Sequence, residues 1–590
     1  MCEVERDAAY PRPSMRRSAW TSLDGSWDYA IVAGGCAHRP TPTHAAFPTV
    51  FDGTIRVPFS PETTASGVDR QLLPGDLLWY RRRVDLPDLR KGERLLLHFE
   101  AVDWRCWCYV DGQFVGEHTG GYEPFAFDIT DALPAAGGDE HRAFELMLAV
   151  EDPSDLGGQP RGKQRLEAID IWYPPQSGIW QEVWMEVVPA AYLERLRLIA
   201  TLDDELMAGT LRIEAEVNKP GRILRVNVRR DDALVATATC AAVHANVVLR
   251  MTIPSPELWS PDDPALYDVE VGYGSDKVHS TTAFRTTAVA PDERGVPRFQ
   301  LNGQPLMLRG VLYQPYWSGS LLTPPDDDAL MRDLEMTRDL GFNMIRVHAS
   351  IAPERLYELC DQLGILICQD FVPGAIRVRM KVTESLPSHL PWARELLRDA
   401  GPFSPFVQWA LGSHDRRSQR LWVEEASRAI ERLRVHPSIV MWTAFNEGWG
   451  QFEAARVTQM LQTMDPTRPI DATSGWYDQG AGDFESVHDY TDDLHIFRRH
   501  LRGKRDGRAL FLSECGGLTW RVPEHGPKGE TFGYEECANS EELARRFRGL
   551  IDELEGMWPD GLAGYVYTQL ADVEQECNGL VTYDRVVRKV

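Results

Sequence analysis

The 590-residue chain is 43% apolar and 26% charged, proportions of an ordinary globular protein long enough for several cores. Its formal charge of −25 and pI near 5.1 argue against nucleic acid or an anionic membrane surface as partners and suit a neutral substrate. No run reaches bilayer-spanning length, "MCEVERDAAY" lacks a signal-peptide core, and ten scattered cysteines show no zinc-ligand spacing, so a cytoplasmic protein with reduced thiols is expected.

Residues 1–189 read as all-β. Apolar stretches such as "LLWYRRRVDLP", "RLLLHFEAV", "RCWCYVDGQFVGEH" and "FELMLAVED" are separated by Gly, Pro and Asp, and "VDGQ" signals a turn between two strands. This is jelly-roll patterning. From 190 to 296 the spacing continues through "LERLRLIATL", "LRIEAEVN", "ILRVNVRR", "NVVLRMTIP" and "YDVEVGYG". Roughly seven short strands in about 100 residues predict an immunoglobulin-like β-sandwich.

From 297 to 590 apolar strands alternate with helical patterns. The strand candidates are 306–313, 343–348, 364–371, 438–447, 469–475, 484–490, 509–514 and 562–570. Strand–helix units in that number predict a (β/α)8 TIM barrel, with a short helix after the fifth strand. Residues 372–417, long, Pro-rich and without clean periodicity, form a candidate lid over the barrel mouth. The chain stops at "DRVVRKV" soon after the eighth strand, so the last barrel helix is expected short or missing, leaving an apolar flank for another subunit.

Barrel active sites lie at the C-terminal ends of the strands. "SIVMWTAFNEGWG" ends its strand at Glu447, and "ALFLSECGG" ends its strand at Glu514, each acid following an apolar run and preceding glycine. Strands 4 and 7 lie across the barrel, so the two carboxylates should face each other. A facing pair suits glycosidic hydrolysis: one carboxyl protonates the leaving oxygen and the other attacks the anomeric carbon. Anionic Glu514 should raise the Glu447 carboxyl, making Glu447 the acid/base and Glu514 the nucleophile. Glu485, within strand 6, and Glu524, in the loop after strand 7, are the rival nucleophiles. Cys515 reads as a small buried neighbour of Glu514 rather than a reactive thiol.

Here the sequence resembles glycoside hydrolase family 2, which includes β-galactosidases, β-glucuronidases and β-mannosidases. "VHPSIVMWTAFNEGWG" resembles the family's acid/base signature, and "GFNMIRVHASIAPERLYELCDQLGILICQDF" its strand 2 to strand 3 segment. "SLDGSWDY", "VDWRCWCYVDGQFVGEHTGGYEPFAFDIT" and "IWYPPQSGIWQEVWMEVVP" are similar to its sugar-binding jelly roll. The resemblance covers nearly the whole chain and implies a retaining double displacement. One departure is that Glu514 precedes Cys515-Gly516-Gly517, where the commoner pattern has an aromatic.

The remaining candidates surround this pair. The resemblance implies that Asn446 bonds the sugar 2-hydroxyl and that Tyr490 contacts the nucleophile. Arg346 and His348 alternate on strand 2: Arg346 orients Glu514 or forms a structural ion pair, and His348 touches a hydroxyl or sits satisfied in the core. Asp370 binds hydroxyls or pairs with Arg346, and His488 shares a face with Tyr490. Trp449, Trp476, Tyr567 and Gln569 form a sugar platform or plain packing. Asp152 and "QPRGKQ" from the first domain reach the barrel mouth or remain an exposed loop.

The family's glucuronidases resemble one another in an Asn-x-Lys element gripping the sugar carboxylate. The comparable stretch "QECNGLVTYDR" places Glu576, Cys577 and Asn578 there, and an acid would repel a uronate. A β-galactoside is therefore expected. A β-glucoside, β-mannoside, galactofuranoside or α-arabinoside stands as the alternative, and an inactive carbohydrate-binding barrel is the rival of another class. A metal-dependent barrel is disfavoured because His348, His436 and His488 are single and scattered. No cofactor is required; a peripheral divalent cation and a homo-oligomer are left open.

Overall fold

The computed structural model describes all residues except 1–9, 42, 135–141, 375–397, 402–403, 504–505 and 528. Most of the expected lid, 375–397, therefore lies outside the described residues. The front of the chain forms two antiparallel sheets, one of four strands and one of six, packed about an apolar core. Cys106 and Cys108 alternate on the strand Arg105–Val110 and both enter that core. A second sandwich of three and four antiparallel strands spans Leu193–Leu202 to Asp276–Thr282.

The rest is the expected parallel barrel. Its strands are Leu308–Tyr313 (β1), Met344–Val347 (β2), Leu366–Asp370 (β3), Ile439–Asn446 (β4), Ile470–Ser474 (β5), Phe484–Asp489 (β6), Ala509–Gly516 (β7) and Leu562–Thr568 (β8). The hydrogen-bonded order is β5-β4-β3-β2-β1-β8-β7-β6, and no ladder joins β5 to β6. One backbone bond, from the Asp483 amide to the Ile470 carbonyl at 2.8 Å, joins the start of this seam, and side chains span the rest. Ser486 Oγ donates to Asp471 Oδ2 at 2.7 Å, and Ser474 Oγ lies 2.9 Å from His488 Nε2.

Helices cover the barrel where the sequence carries helical periodicity. The helix Arg416–Leu433 starts at Asp415, whose side chain accepts the Ser418 amide, and buries Trp422, Ala426, Ala429, Ile430 and Leu433. The expected short helix after β5 does not form among the described residues. "GWYDQGAGD" has three glycines and no apolar period, and Gly475, Tyr477, Gly480 and Gly482 all take positive φ. No helix follows β8 either, but the flank is not left bare. The tail folds back, with Arg585 pairing with Asp333, Tyr583 donating to the Trp317 carbonyl, and Leu580 in the barrel core.

The barrel floor is closed by a short antiparallel sheet that includes Pro297–Leu301. Phe299 and Leu301 join Trp259 and the inward residues Leu308, Met344, Leu366, Met441 and Phe511 in one apolar cluster. Burial of that side leaves the opposite, C-terminal mouth as the polar end. Among the described residues no helix is long and apolar enough to cross a membrane.

Candidate active site

β4 is buried throughout and delivers Asn446 as its last residue. Glu447 follows at φ +48, its amide donating to the Ser474 carbonyl at 2.9 Å. The glycines beyond it have steric reasons. A Cβ on Gly448 would lie 2.6 Å from the Tyr477 ring, and one on Gly450 would lie 2.1 Å from the Gly374 carbonyl oxygen. The chain thus turns sharply off β4 against the start of the 372–417 segment and leaves the carboxylate at the mouth.

The second acid rides on β7, and the pattern after it is equally constrained. A Cβ at Gly516 would meet Tyr567 at 2.4 Å, and one at Gly517 would meet Tyr534 at 2.5 Å. Burial pushes the Cys515 thiol far above its ordinary range, which makes it a poor nucleophile and fits a packing neighbour. One carboxylate oxygen each from Glu447 and Glu514 and a nitrogen of His488 all lie within 4.8 Å of one another. The expected pair is therefore brought together. Glu485 instead pairs with His500 at 2.6 Å, and Glu524 is exposed in its loop.

Arg346, fully buried, organises the floor of the site. Its guanidinium donates to Glu514 Oε1 at 3.0 Å, to both Asp370 oxygens at 3.0 Å and to Asn446 Oδ1 at 2.9 Å. Tyr490 donates to Glu514 Oε2 at 2.5 Å and stacks on Tyr534, ring centroids 3.8 Å apart. Burial alone would raise the Glu514 carboxyl, but His488, Arg346 and the Tyr490 hydroxyl outweigh it and hold it at about 2. Burial likewise opposes ionisation of Asp370, and Arg346 and His348 bring that carboxyl down to about 2. Burial dominates at His348 and lowers it despite its 2.7 Å contact with Asp370. Glu447, His488 and Glu514 form a close acid–base cluster in which Arg346 and Tyr490 engage Glu514, Ser474 engages His488, and Glu447 Oε1 lies 2.8 Å from His488 Nδ1.

Several candidates hold places other than those expected. His488, placed among sugar contacts, has both nitrogens within hydrogen-bond distance of protein groups, Glu447 and Ser474. Asp370 pairs with Arg346 and His348, which decides between its alternatives. Tyr567 faces outward: its ring meets Phe547 of the helix Ser540–Gly556 edge-on at 5.0 Å, because β8 turns that side of its pleat to the helical layer. Trp476 packs with Val407, Leu411 and Tyr477, its ring 5.3 Å from His488. Asp152 is buried in the front domain, its carboxylate accepting the Ser154 amide and Ser177 hydroxyl and, among the described residues, bonded to none of the barrel.

The "QPRGKQ" run does reach the mouth. Lys163 Nζ lies 5.9 Å from the Trp449 ring centroid and 3.5 Å from Glu576 Oε2. Glu576 also takes the Tyr173 hydroxyl and, at 3.2 Å, Gln314 Nε2, which in turn reaches Gln569 Oε1 at 2.6 Å. Gln569 thus braces this wall. Trp449 packs against Trp172, 5.1 Å between centroids, with neither indole N–H hydrogen-bonded. Asn446 Nδ2 and Gln314 Oε1 are likewise buried without a partner. Tyr534, Trp172 and Tyr173 went unassigned in the sequence, since they lie in loops far from the strand ends they join, and Gln314 went unassigned although it directly follows β1. The aromatic richness of "IWYPPQSGIW" was the signal for Trp172 and Tyr173, and the position just beyond the first barrel strand was the signal for Gln314.

Two acids at opposing strand ends of such a barrel, one held ionised, match a known family across three segments. Models of the glycosyl hydrolases family 2 sugar binding domain, of glycosyl hydrolases family 2 and of its TIM barrel domain match residues 69–189, 191–285 and 296–496. The chain belongs to glycoside hydrolase family 2. A β-galactosidase of Thermoanaerobacter pseudethanolicus is 24% identical over 72% of this chain and 51% of its own length. A putative β-glucuronidase of Formosa agariphila is 25% identical over 68% of this chain and 34% of its own. The chain thus spans about half, or less, of the length of these relatives. A Parabacteroides merdae β-glucuronidase structure superposes with a TM-score of 0.72 at 19% identity, covering 96% of this chain and 73% of the other, a likeness of fold. Within the family 2 match Glu447 lies inside the TIM-barrel model and Glu514 beyond its last residue.

Proposed function

We propose that this chain hydrolyses a terminal β-linked sugar with retention of configuration, a β-galactoside first among the candidates. Glu514 serves as nucleophile and Glu447 as acid/base. The observation that carries the reading is the asymmetry of the pair. Glu514 is bonded by Arg346 and Tyr490, which favour its anion, while Glu447 faces it with a carboxylate oxygen within 4.8 Å. That closeness suits the roughly 5 Å carboxyl separation of direct nucleophilic attack more than the wider gap that admits a water.

In the first half-reaction Glu514 forms a bond to the anomeric carbon as the glycosidic oxygen departs with the Glu447 proton. In the second, Glu447 takes a proton from water, which displaces Glu514 from the same carbon. Arg346 and Tyr490 stabilise the carboxylate before attack and again as it leaves. The unpartnered Asn446 amide, beside the pair, suits a sugar hydroxyl. No metal is required by these steps.

For the sugar, the wall formed by Lys163, Glu576 and Gln314 supports a neutral ring over a uronate. The Lys163 charge is already matched by Glu576, so a sugar carboxylate would meet an acid and no spare cation there. Release of nitrophenol from β-galactoside, glucoside, mannoside, glucuronide, galactofuranoside and α-arabinoside, with Glu514→Ala alongside, tests this. Turnover of a neutral member with a loss on the order of 10⁴-fold in the variant supports it. Preferred cleavage of the glucuronide overturns the sugar assignment, and inversion seen by NMR of the first product overturns the mechanism.

A further inference from the structure

The imidazole of His488 is fully buried at the edge of the β5–β6 seam, and its hydrogen bonds have a fixed direction. Ser513 Oγ donates to the Val487 carbonyl at 3.3 Å. Ser474 Oγ donates to Ser513 Oγ at 2.8 Å. Each hydroxyl has one hydrogen. Ser474 Oγ, its own hydrogen committed, can only accept from His488 Nε2 at 2.9 Å. Nε2 therefore carries a proton whatever the charge of the ring. The other nitrogen, Nδ1, lies 2.8 Å from Glu447 Oε1. If the ring is neutral, Nδ1 is a bare acceptor and the hydrogen must sit on Glu447. If Nδ1 is protonated, Glu447 is the anion.

We propose that His488 is a positioning residue that holds one proton jointly with Glu447, keeping this carboxyl loaded as an acid until the departing oxygen takes the proton. The inference rests on the assignment of Glu447 as acid/base. When the glycosidic C–O bond breaks, its electron pair goes to the oxygen, which takes the Glu447 proton, and the Glu514 oxygen forms the new bond to carbon. The Glu447 anion then faces the Nδ1 lone pair, an unfavourable contact that strengthens it as the base that deprotonates water. The proton taken from water restores the pair.

The surroundings are built for this ring. Gly475 admits it, since a Cβ there would lie 2.7 Å from Nδ1. The charged or titratable groups facing the ring are Glu447 beyond β4, Asp471 on β5 and Glu514 on β7, whose Oε1 is 3.4 Å from Nε2. Asp471 takes the Ser486 hydroxyl on one oxygen and Glu514 is neutralised by Arg346, whereas Glu447 lies 2.8 Å from Nδ1, the nitrogen left to share a proton.

The test pairs His488→Asn with substrates of different leaving group. An asparagine amide can donate to the Glu447 anion and stabilise it, so the alkaline limb of kcat/KM should move to lower pH. Turnover of a phenyl glycoside should fall about tenfold or more, whereas a 2,4-dinitrophenyl glycoside, whose departure needs no proton, should change by less than about threefold. Ser474→Ala, which frees the direction of the Nε2 bond, should shift the limb the same way by less. Equal losses on both substrates with an unmoved limb would sink the proposal. If His488→Asn does not fold, the Ser474→Ala profile decides by the same criterion. A measurement independent of turnover is ¹⁵N NMR of the histidine-labelled full chain, with Glu447→Gln identifying the coupled signal. Protonated Nε2 is expected. A neutral ring protonated at Nδ1 would overturn the pair even if the glycosidase assignment stands, and an inactive wild type with protonated Nε2 would fault that assignment alone.

Discussion

Two arginines buried almost completely, Arg298 and Arg346, stand at opposite ends of the barrel. At the floor, Arg298 donates to the backbone carbonyls of Leu562 and Trp558 at 2.7 and 2.5 Å and to Asp292 Oδ2 at 3.2 Å, and lies 4.0 Å from the Trp558 ring centroid. At the mouth, Arg346 donates to side chains: Asp370, Glu514 and Asn446. The side chain and the burial are the same, but the partners differ. Carbonyls have no protonation state to set, so two of the Arg298 bonds simply tie the floor sheet to β8, and its carboxylate partner Asp292 lies in the turn before Pro297–Leu301, away from the reacting groups. Carboxylates have one, so Arg346 fixes the charge of the groups that do chemistry.

The comparison breaks if either arginine behaves like the other. Arg346→Met should lower kcat/KM on the order of 10³-fold or more, read with the best aryl glycoside, because Glu514 loses the cation that favours its anion. Arg298→Met should instead destabilise by about 2–4 kcal/mol through two unpaired carbonyls, with the folded fraction keeping near wild-type kcat. Urea titration separates the two cases.

Stability against pH sharpens the contrast. Glu514 is held at about 2 against an ordinary 4.5, and Asp370 at about 2 against 3.8. Both folded values are depressed, so their contribution is present above the unfolded values and is lost as pH falls through about 2. The thermal midpoint should fall between about pH 4.5 and 2 in the wild type, and Arg346→Met should flatten that fall, while Arg298→Met, which takes away one of several groups lowering Asp292, should change its shape less. A smaller step comes from Tyr490→Phe, which removes one bond to Glu514 and should reduce kcat about 10- to 100-fold. Smallest is Lys163→Met at the outer wall, expected to raise KM several-fold with kcat little changed. A kcat loss there equal to that of Tyr490→Phe would place Lys163 at the reacting centre.

Much of this arrangement could be read from the chain alone because strand ends in a parallel barrel are signalled locally. The apolar run before Glu447 was expected at 438–447 and the strand occupies Ile439–Asn446. Facing acids follow from strand order. What the sequence left open was orientation. Period-two alternation says which residues share a face but not which face points inward, and Tyr567 went to the helical layer for that reason. Nor could alternation tell a sugar contact from a brace: Asp370, His488 and Gln569 are strand-end polar residues whose partners arrive from other strands. Lys163 and Tyr173 come from another domain, and Tyr534 from a loop, where no periodicity links sequence to place.

The open ladder between β5 and β6 gives the barrel an unequal wall. Seven of its strand boundaries are held by peptide groups, whose bonding is indifferent to acid or alkali in the ordinary range. The eighth keeps a backbone bond at its start, from Asp483 to Ile470, and is otherwise bridged by side chains, Asp471 with Ser486 and Ser474 with His488. Amide hydrogens along this boundary should exchange with solvent sooner than those of β1 and β2. In this cylinder the line of weakest weave runs through the machinery itself, where His488 is at once a stitch of the wall and the neighbour of the acid.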